Sequence, residues 1–506
     1  MSFFVGLDLK KNDIFVKIIL YRGVGTMKEK RLFIFNTLNV IWIILLYHII
    51  GTKSFFLYVL SLSLYNIFEV CFNHITLKDT FNRLHSENAK KTILKIMLLI
   101  VVLISVLFLV LSTLISDTIS VFLKLNNILP IFTIMGITVI IKPLIKLLSE
   151  YLENINNNRI YGKLPLIYTF FDKIMVLLIA LLNFRILKTN PEASAAILYL
   201  SKIISAIIII YFLYLIRKHG KDIKYNYSAK DNISYFQEIK KILTNNSYKT
   251  ITEIVKYSYY YISIIILYLV LSSRYGYKKE ELEIIISFVY FFGLGIMNYL
   301  IYFAKAATRK LPKDTSVTDK LYNSFKMMLT ITIIFGIISP LTCKVIFYDP
   351  SKSIYLTMVN FMAIFILLFD MTYENIKNKS ITYISLIAGL IIKIVLVIPL
   401  INSFYRMGYN LVYGDVLSTS IAMFISVIIN YIYLRQLNKE KDKYFTKILD
   451  ILYDNIILAI ILIVFEFIIP LNTKNYFVSL GLIIVYIMIS IAYIVIKNKI
   501  KNKERG

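Results

Sequence analysis

From residue 31 to residue 496 the chain alternates long apolar runs with short polar connectors. Fourteen runs stand out, at 31–50, 54–74, 92–115, 127–149, 164–186, 193–216, 251–272, 283–305, 324–346, 354–374, 381–402, 413–435, 449–470 and 476–496. Each is near the roughly 20 residues that an α-helix needs to cross the hydrocarbon core of a bilayer. Lipid offers no partner to an unpaired backbone group, so all fourteen are expected to be helical. Local start signals agree: Asn126 and Asn127 before the fourth run, Pro165 at the start of the fifth, Pro191 before the sixth. The pattern predicts an all-α polytopic membrane protein with about 14 transmembrane helices.

Charge sets the expected orientation. With the N-terminus in the cytoplasm, the inward segments hold about 35 Lys and Arg, the outward ones about 9, and the runs themselves about 13. The positive-inside rule therefore puts both termini in the cytoplasm, with the longest connector, Arg217–Thr250, and the tail KNKIKNKERG facing in. The net charge of +27 would suggest nucleic acid in a soluble protein; here the cations sit in connectors, and no nucleic-acid partner is expected. The 58% hydrophobic content and mean hydropathy of +0.71 exceed what a water-facing shell can cover. Cys71 and Cys343 stand in different runs without a CxxC spacing, and the four histidines form no HExxH, so neither a disulfide framework nor a zinc site is expected. Residues 1–26 hold an apolar piece too short to span, read as an interfacial helix or an untranslated extension with Met27 as the start.

The chain also repeats itself. YLENINN (Tyr151–Asn157) and TYENIKN (Thr372–Asn378) each follow a run and precede another. Glu153 is followed by Asp172-Lys173-Ile174-Met175-Val176 in the fifth run, and Glu374 by Ile392-Lys393-Ile394-Val395-Leu396 in the eleventh, at about the same Glu-to-Lys spacing, which matches Lys173 with Lys393. LKIMLLI (Leu94–Ile100) opens the third run and FKMMLTI (Phe325–Ile331) the ninth. All pairs differ by six runs, an even number, so both copies point the same way across the membrane. The expected organisation is an N-terminal extension (1–26), a six-helix bundle (27–216), a basic connector (217–250), a second parallel six-helix bundle (251–435), a connector (436–448), then two C-terminal helices with a basic tail (449–506).

Six plus six plus two spans resemble the MOP exporter superfamily, which includes lipid II flippases, the stage V sporulation protein B group and polysaccharide flippases. The local likeness lies in NIKNKSITYISLIAGLIIKIVLVIPLI (Asn375–Ile401) and YGDVLSTSIAMFISVIINYIYLRQ (Tyr413–Gln436), with Gly414, Asn430 and Arg435 at the family's positions. YFAKAATRKLPKDTSVTDKLYNSFKMML after the eighth run looks like the family's amphipathic connector. The resemblance implies a flippase or exporter of the bacterial cytoplasmic (inner) membrane, moving a polyprenyl-diphosphate-linked saccharide by alternating access. It would be no enzyme and need no cofactor. Its partners would be the saccharide lipid, the bilayer and enzymes of envelope-polysaccharide assembly. An ion-coupled, multidrug-type exporter is the alternative reading. A membrane polymerase or glycosyltransferase fits the short outward connectors less well, and a non-enzymatic scaffold remains open.

Intramembrane charge is costly and needs a reason. Lys142, Asp172, Lys173, Lys202 and Lys393 lie deepest, and read either as a hydrated substrate path or as interhelix ion pairs. Lys95, Lys146, Lys256 and Lys326 stand near cytoplasmic ends, where snorkelling is expected. By resemblance, spans one, two, seven and eight line a central cavity, which nominates Asn36, Asn39, Asn66, Glu69, Glu253, Lys256 and Asn298. Glu69, Asp172, Glu253 and Asp370 are candidate sites for a coupling H+ or Na+. The interiors of spans one, two and eight carry no arginine, unlike the best-known lipid II flippases; Arg31 stands only at the mouth of the first. Asp454 and Glu466 in the thirteenth run fit a lipid-facing wall poorly, and Tyr259-Tyr260-Tyr261 reads as interface aromatics or a sugar platform.

Overall fold

The structure, a computed structural model, describes residues 27–84, 86–123, 125, 127–156, 160–219, 234–244, 247–308, 317–376, 379–438, 444–468 and 476–503. The 1–26 extension, much of the 217–250 and 436–448 connectors and the middle of the amphipathic connector after the eighth run lie outside the described residues. Among the described residues, 12 helical stretches are long and apolar enough to cross a membrane. The first of them contains both the first and second expected spans, and a further helix, Tyr444–Ile468, occupies the place of the thirteenth. The chain is a multi-pass, all-helical membrane protein.

The first two spans form one helical stretch, Met27–Asn73, interrupted at Gly51 (φ 74, ψ 169). That conformation is open essentially to glycine alone. Residues eight apart in an unbroken helix are separated by about 12 Å along the axis. The rings of Tyr47 and Phe55 instead meet edge-on at 5.3 Å, so the chain bends sharply between them. The fourth span is likewise two helices, Leu129–Thr138 and Ile141–Asn156. Pro143 has no N–H for the carbonyl of Val139, and its ring crowds that carbonyl. At the start of this span Asn127 is not the cap expected from the sequence. It adopts a left-handed conformation (φ 59), Ile128 occupies the cap position, and Pro130 opens the helix. Pro165 and Pro191 do begin their helices, and Asn190 caps the second by accepting from the Ala193 N–H at 2.8 Å. Asp349 starts the 3-10 turn Pro350–Lys352 before the tenth span; the Ser351 hydroxyl and N–H donate to its carboxyl, which they hold below the usual carboxylate range.

Two compact units divide the chain: Leu45–Ser287, and Met1–Ile44 together with Phe288–Gly506. Within Leu45–Ser287, helix Glu87–Leu123 shows how lipid inverts the usual pattern. Ser105, Ser112 and Ser116 are buried, while Leu103 is 61% exposed and Leu99, Val106, Leu107 and Leu114 are exposed as well. Apolar side chains face the hydrocarbon, and small residues let neighbouring backbones approach. A Cβ on Gly136 would stand 2.5 Å from Ser112 Oγ, which shows how closely the third and fourth spans approach. Ile145, Tyr161, Leu164, Tyr168 and Ile209 form a core where the fourth, fifth and sixth spans meet.

In the other unit, Ile338 and Leu341 of the ninth span pack with Leu458 and Leu462 of the thirteenth and Leu482 and Tyr486 of the fourteenth. The last two helices thus dock on the ninth. Asn430 of the twelfth span is buried; it accepts from Ser385 of the eleventh at 3.0 Å and donates to Thr372 of the tenth at 3.4 Å. The eleventh and twelfth spans approach closely at Gly414, where a Cβ would lie 2.5 Å from the Ile401 nitrogen. Gly414→Ala is expected to cost about 1–3 kcal/mol through overpacking against backbone. Gly481→Ala, with open space around it, should be neutral. Thermal unfolding of the two variants in detergent checks the contrast.

Candidate functional site

The polar groups of Leu45–Ser287 gather on facing helices. Lys202 of the sixth span, only 6% exposed, donates to Asp172 of the fifth at 2.9 Å, and Ser201 donates to the other carboxylate oxygen at 2.6 Å. Four buried tyrosines, Tyr58, Tyr65, Tyr168 and Tyr199, surround the pair. The Lys202 ammonium lies 4.3 Å from the Tyr65 ring centroid, and the Tyr199 hydroxyl is 2.9 Å from Ser61 Oγ. The cation is thus held by a carboxylate and a π face in a buried setting. One level away, Lys142 of the fourth span pairs with Glu69 of the second. Lys146, expected to snorkel, is half-buried. It donates to the carbonyls of Asn73 (2.5 Å) and Ile75 (2.7 Å), capping the C-terminal end of the second span. Glu253 of the seventh span lies 3.1 Å from His74. Lys173, Lys256 and Asn66 are half-buried.

The second unit repeats this arrangement with the signs exchanged. Lys393 of the eleventh span is fully buried, donates to Thr419 at 2.6 Å and lies 3.8 Å from Asp415 of the twelfth. Tyr290, on the π-helical turn Phe288–Gly293, donates to the same aspartate. Lys305 of the eighth span bonds Asp370 of the tenth at 2.7 Å. In the first copy, spans five and six carry Asp then Lys; in the second, spans eleven and twelve carry Lys then Asp. Spans two and four carry Glu then Lys; spans eight and ten carry Lys then Asp. Asp172 lies 19 residues after Glu153, and Lys393 lies 19 residues after Glu374. Asp172, rather than Lys173, therefore takes the place of Lys393 in the repeat. The connector glutamates match too: Glu153 pairs with Lys78 at 3.3 Å and Glu374 with Lys305 at 3.4 Å.

Other sequence-nominated residues fall apart from these clusters. Asn39 is half-buried and Asn298 exposed, and the side chains of Asn36 and Arg435 lie outside the described residues. Sequence reasoning passed over Asp415 and Lys305, because each stands near a span end, where charge is common. It also expected Lys326 to snorkel. Lys326 instead lies 3.6 Å from Asp454, which Lys497 of the fourteenth span also contacts, so the intramembrane Asp454 ties the last two helices to the ninth. An apolar cavity of about 280 Å³ opens among Val40, Ile43, Phe292, Ile296, Phe335 and Phe347.

Neither the family models nor the curated proteins compared with this chain give a match. Solved structures do. "Lipid II flippase MurJ, inward closed conformation" superposes with a TM-score of 0.61 at 14% identity, covering 94% of this chain and 99% of that one. "Inward-facing conformation of a multidrug resistance MATE family transporter of the MOP superfamily" superposes with a TM-score of 0.52 at 12% identity, over 79% and 94% of the two chains. The chain shares its fold with these two transporter structures. On this fold, the half-buried Lys142 and Lys305 and the buried Lys202 and Lys393 each face a carboxylate from another span.

Removing one partner leaves a buried charge uncompensated. Lys202→Met is therefore expected to destabilise the fold by about 3–5 kcal/mol. The inverted sign in the second copy implies that order along the chain matters little. The exchange Asp172→Lys with Lys202→Asp should recover at least half of that loss, read as the thermal unfolding midpoint of purified protein.

Proposed function

We propose that this chain is an exporter that moves a polyprenyl-diphosphate-linked saccharide, a precursor of cell-wall or surface polysaccharide, across the bacterial cytoplasmic membrane by alternating access, with both termini in the cytoplasm. The observation that carries this reading is coverage: the MurJ flippase structure accounts for 94% of this chain, the MATE transporter structure for 79%. An apolar chain attached to the cargo gives a reason for helices beyond a twelve-span exporter. The protein performs no covalent chemistry in this reading. Enzymes of polysaccharide assembly would supply and consume its cargo.

The ion pairs bear on which residues we propose for the substrate path. Lys142, Lys202 and Lys393 are held by Glu69, Asp172 and Asp415, which neutralise them. We assign contact with the diphosphate to Lys173 and Lys256, because they are half-buried where Lys202 and Lys393 are enclosed, and contact with the sugar to Asn66 of the same unit. Glu253, beside His74, and Asp370 are the acids best placed to bind a coupling H+ or Na+ in each unit. One observation favours a second reading, an ion-coupled small-molecule exporter: neutralised lysines and arginine-free span interiors leave little fixed positive charge for a diphosphate.

Reconstitution separates the two. A labelled polyprenyl-diphosphate saccharide in proteoliposomes should become accessible to a membrane-impermeant quencher faster than in protein-free vesicles. Lys173→Ala with Lys256→Ala should slow this at least about fivefold, about 1 kcal/mol in the barrier, with unfolding temperature unchanged. Extrusion of an organic cation without movement of any saccharide lipid tried would select the second reading.

A further inference from the structure

A second polar cavity lies away from all of these residues. It holds about 600 Å³ and is lined by Ile50 and Ser54 at the turn between the first two spans, and by Asn183, Arg185, Lys188 and Thr189 between the fifth and sixth. The Lys and Arg distribution assigns this end of the bundle to the outer side, where cations are scarce. Two of them nevertheless line one cavity. No carboxylate is among the lining residues, and Glu192, next to the lining Pro191, is occupied by Lys53 at 3.0 Å, so the wall keeps a net positive charge.

The wall is held in place. The helix ends in a π-helical turn, Asn183–Leu187, closed by Lys188, which takes a left-handed conformation (φ 47) and donates its N–H to the Asn183 carbonyl at 2.7 Å. A lysine in that region is strained, and such strain persists only where the surroundings enforce it. Asn183 supplies the enforcement. Its buried amide donates to Ser194 Oγ at 2.5 Å and accepts from Thr189 Oγ1 at 2.7 Å, which ties the turn to the start of the sixth span. The same turn alternates charge with exposed apolar residues: Phe184, Ile186 and Leu187 are 57%, 69% and 57% exposed. Apolar side chains at that density belong in hydrocarbon, with Arg185 and Lys188 at the level of lipid headgroups.

We propose that this cavity is a binding site for a phosphate group at the outer membrane interface, held by Arg185 and Lys188 on a loop preset by Asn183. Arginine and lysine together suit a phosphate, one as a fork and one as a point charge. The apolar flank favours a lipid phosphate over a free one. The site stands whether or not the chain carries a saccharide lipid.

The test uses the full chain purified in a phosphate-free maltoside detergent, titrated separately with short-chain phosphatidylglycerol and with inorganic phosphate. Saturable binding of the lipid is expected, with Kd raised about tenfold or more by Arg185→Gln with Lys188→Gln and unchanged by Arg274→Gln with Arg406→Gln, two exposed cations elsewhere. Competition by inorganic phosphate at similar concentration would identify the phosphate itself as sufficient; its failure to compete would identify the lipid headgroup. Absence of saturable binding of both probes, or equal affinity in the Arg185/Lys188 variant, would overturn the proposal.

Discussion

A charge in hydrocarbon must find its opposite, and this requirement organises the polar interior of the protein. An ion transferred alone from water into a low-dielectric medium is unfavourable by many kcal/mol, so an intramembrane lysine is stable only beside a carboxylate or a hydrated space. Four lysines each meet a carboxylate on a different helix: Lys142 with Glu69, Lys202 with Asp172, Lys305 with Asp370, Lys393 with Asp415. Because every pair joins two spans, the electrostatic requirement also fixes which helices are neighbours. The exchange of signs between the copies follows from the same physics. Coulomb attraction is indifferent to which helix carries which charge, so a repeat can keep the clasp while its residues change places.

Packing supplies what charge does not. Without a hydrophobic force between helices in lipid, close approach depends on small residues and on hydrogen bonds that would otherwise be unsatisfied. Gly414 against Ile401, Gly136 against Ser112, and the Thr372–Asn430–Ser385 chain are the places where spans come nearest. Departures from regular helix sit beside polar function. The π-helical turn Phe288–Gly293 delivers Tyr290 to Asp415, and the turn Asn183–Leu187 forms one wall of the outer cavity. A π turn inserts an extra residue and so re-aims side chains that a regular helix would leave on the wrong face.

Much of the fold was legible along the chain. Run length and hydropathy are properties of the helix itself, so the spans could be placed by counting, and Pro165 and Pro191 marked helix starts for purely local reasons. The site was legible only in part. Lys142, Asp172, Lys202 and Lys393 stood out because they are deep in apolar runs, and Glu69 was nominated as well, but which residue meets which was not legible, and Asp415 was passed over. Asp415 looked like an ordinary acidic helix start, and Lys326 and Lys146 looked like snorkelling residues at an interface. Partners in a membrane protein come from other spans tens or hundreds of positions away, and no local pattern records them.

The sequence by itself determined that the chain crosses a membrane many times and where charge enters the apolar runs. Those facts follow from the solvent, since hydrocarbon accepts only helices of a set length and penalises every ion. Tertiary structure decided which ions meet and that Lys146 reaches the carbonyls of Asn73 and Ile75 at the end of the second span. It also gathered Arg185 and Lys188 around one cavity. The reason is geometric: a one-residue step along a helix turns a side chain by about 100°, so whether a lysine faces a carboxylate, a tyrosine ring or lipid depends on how helices rotate against one another.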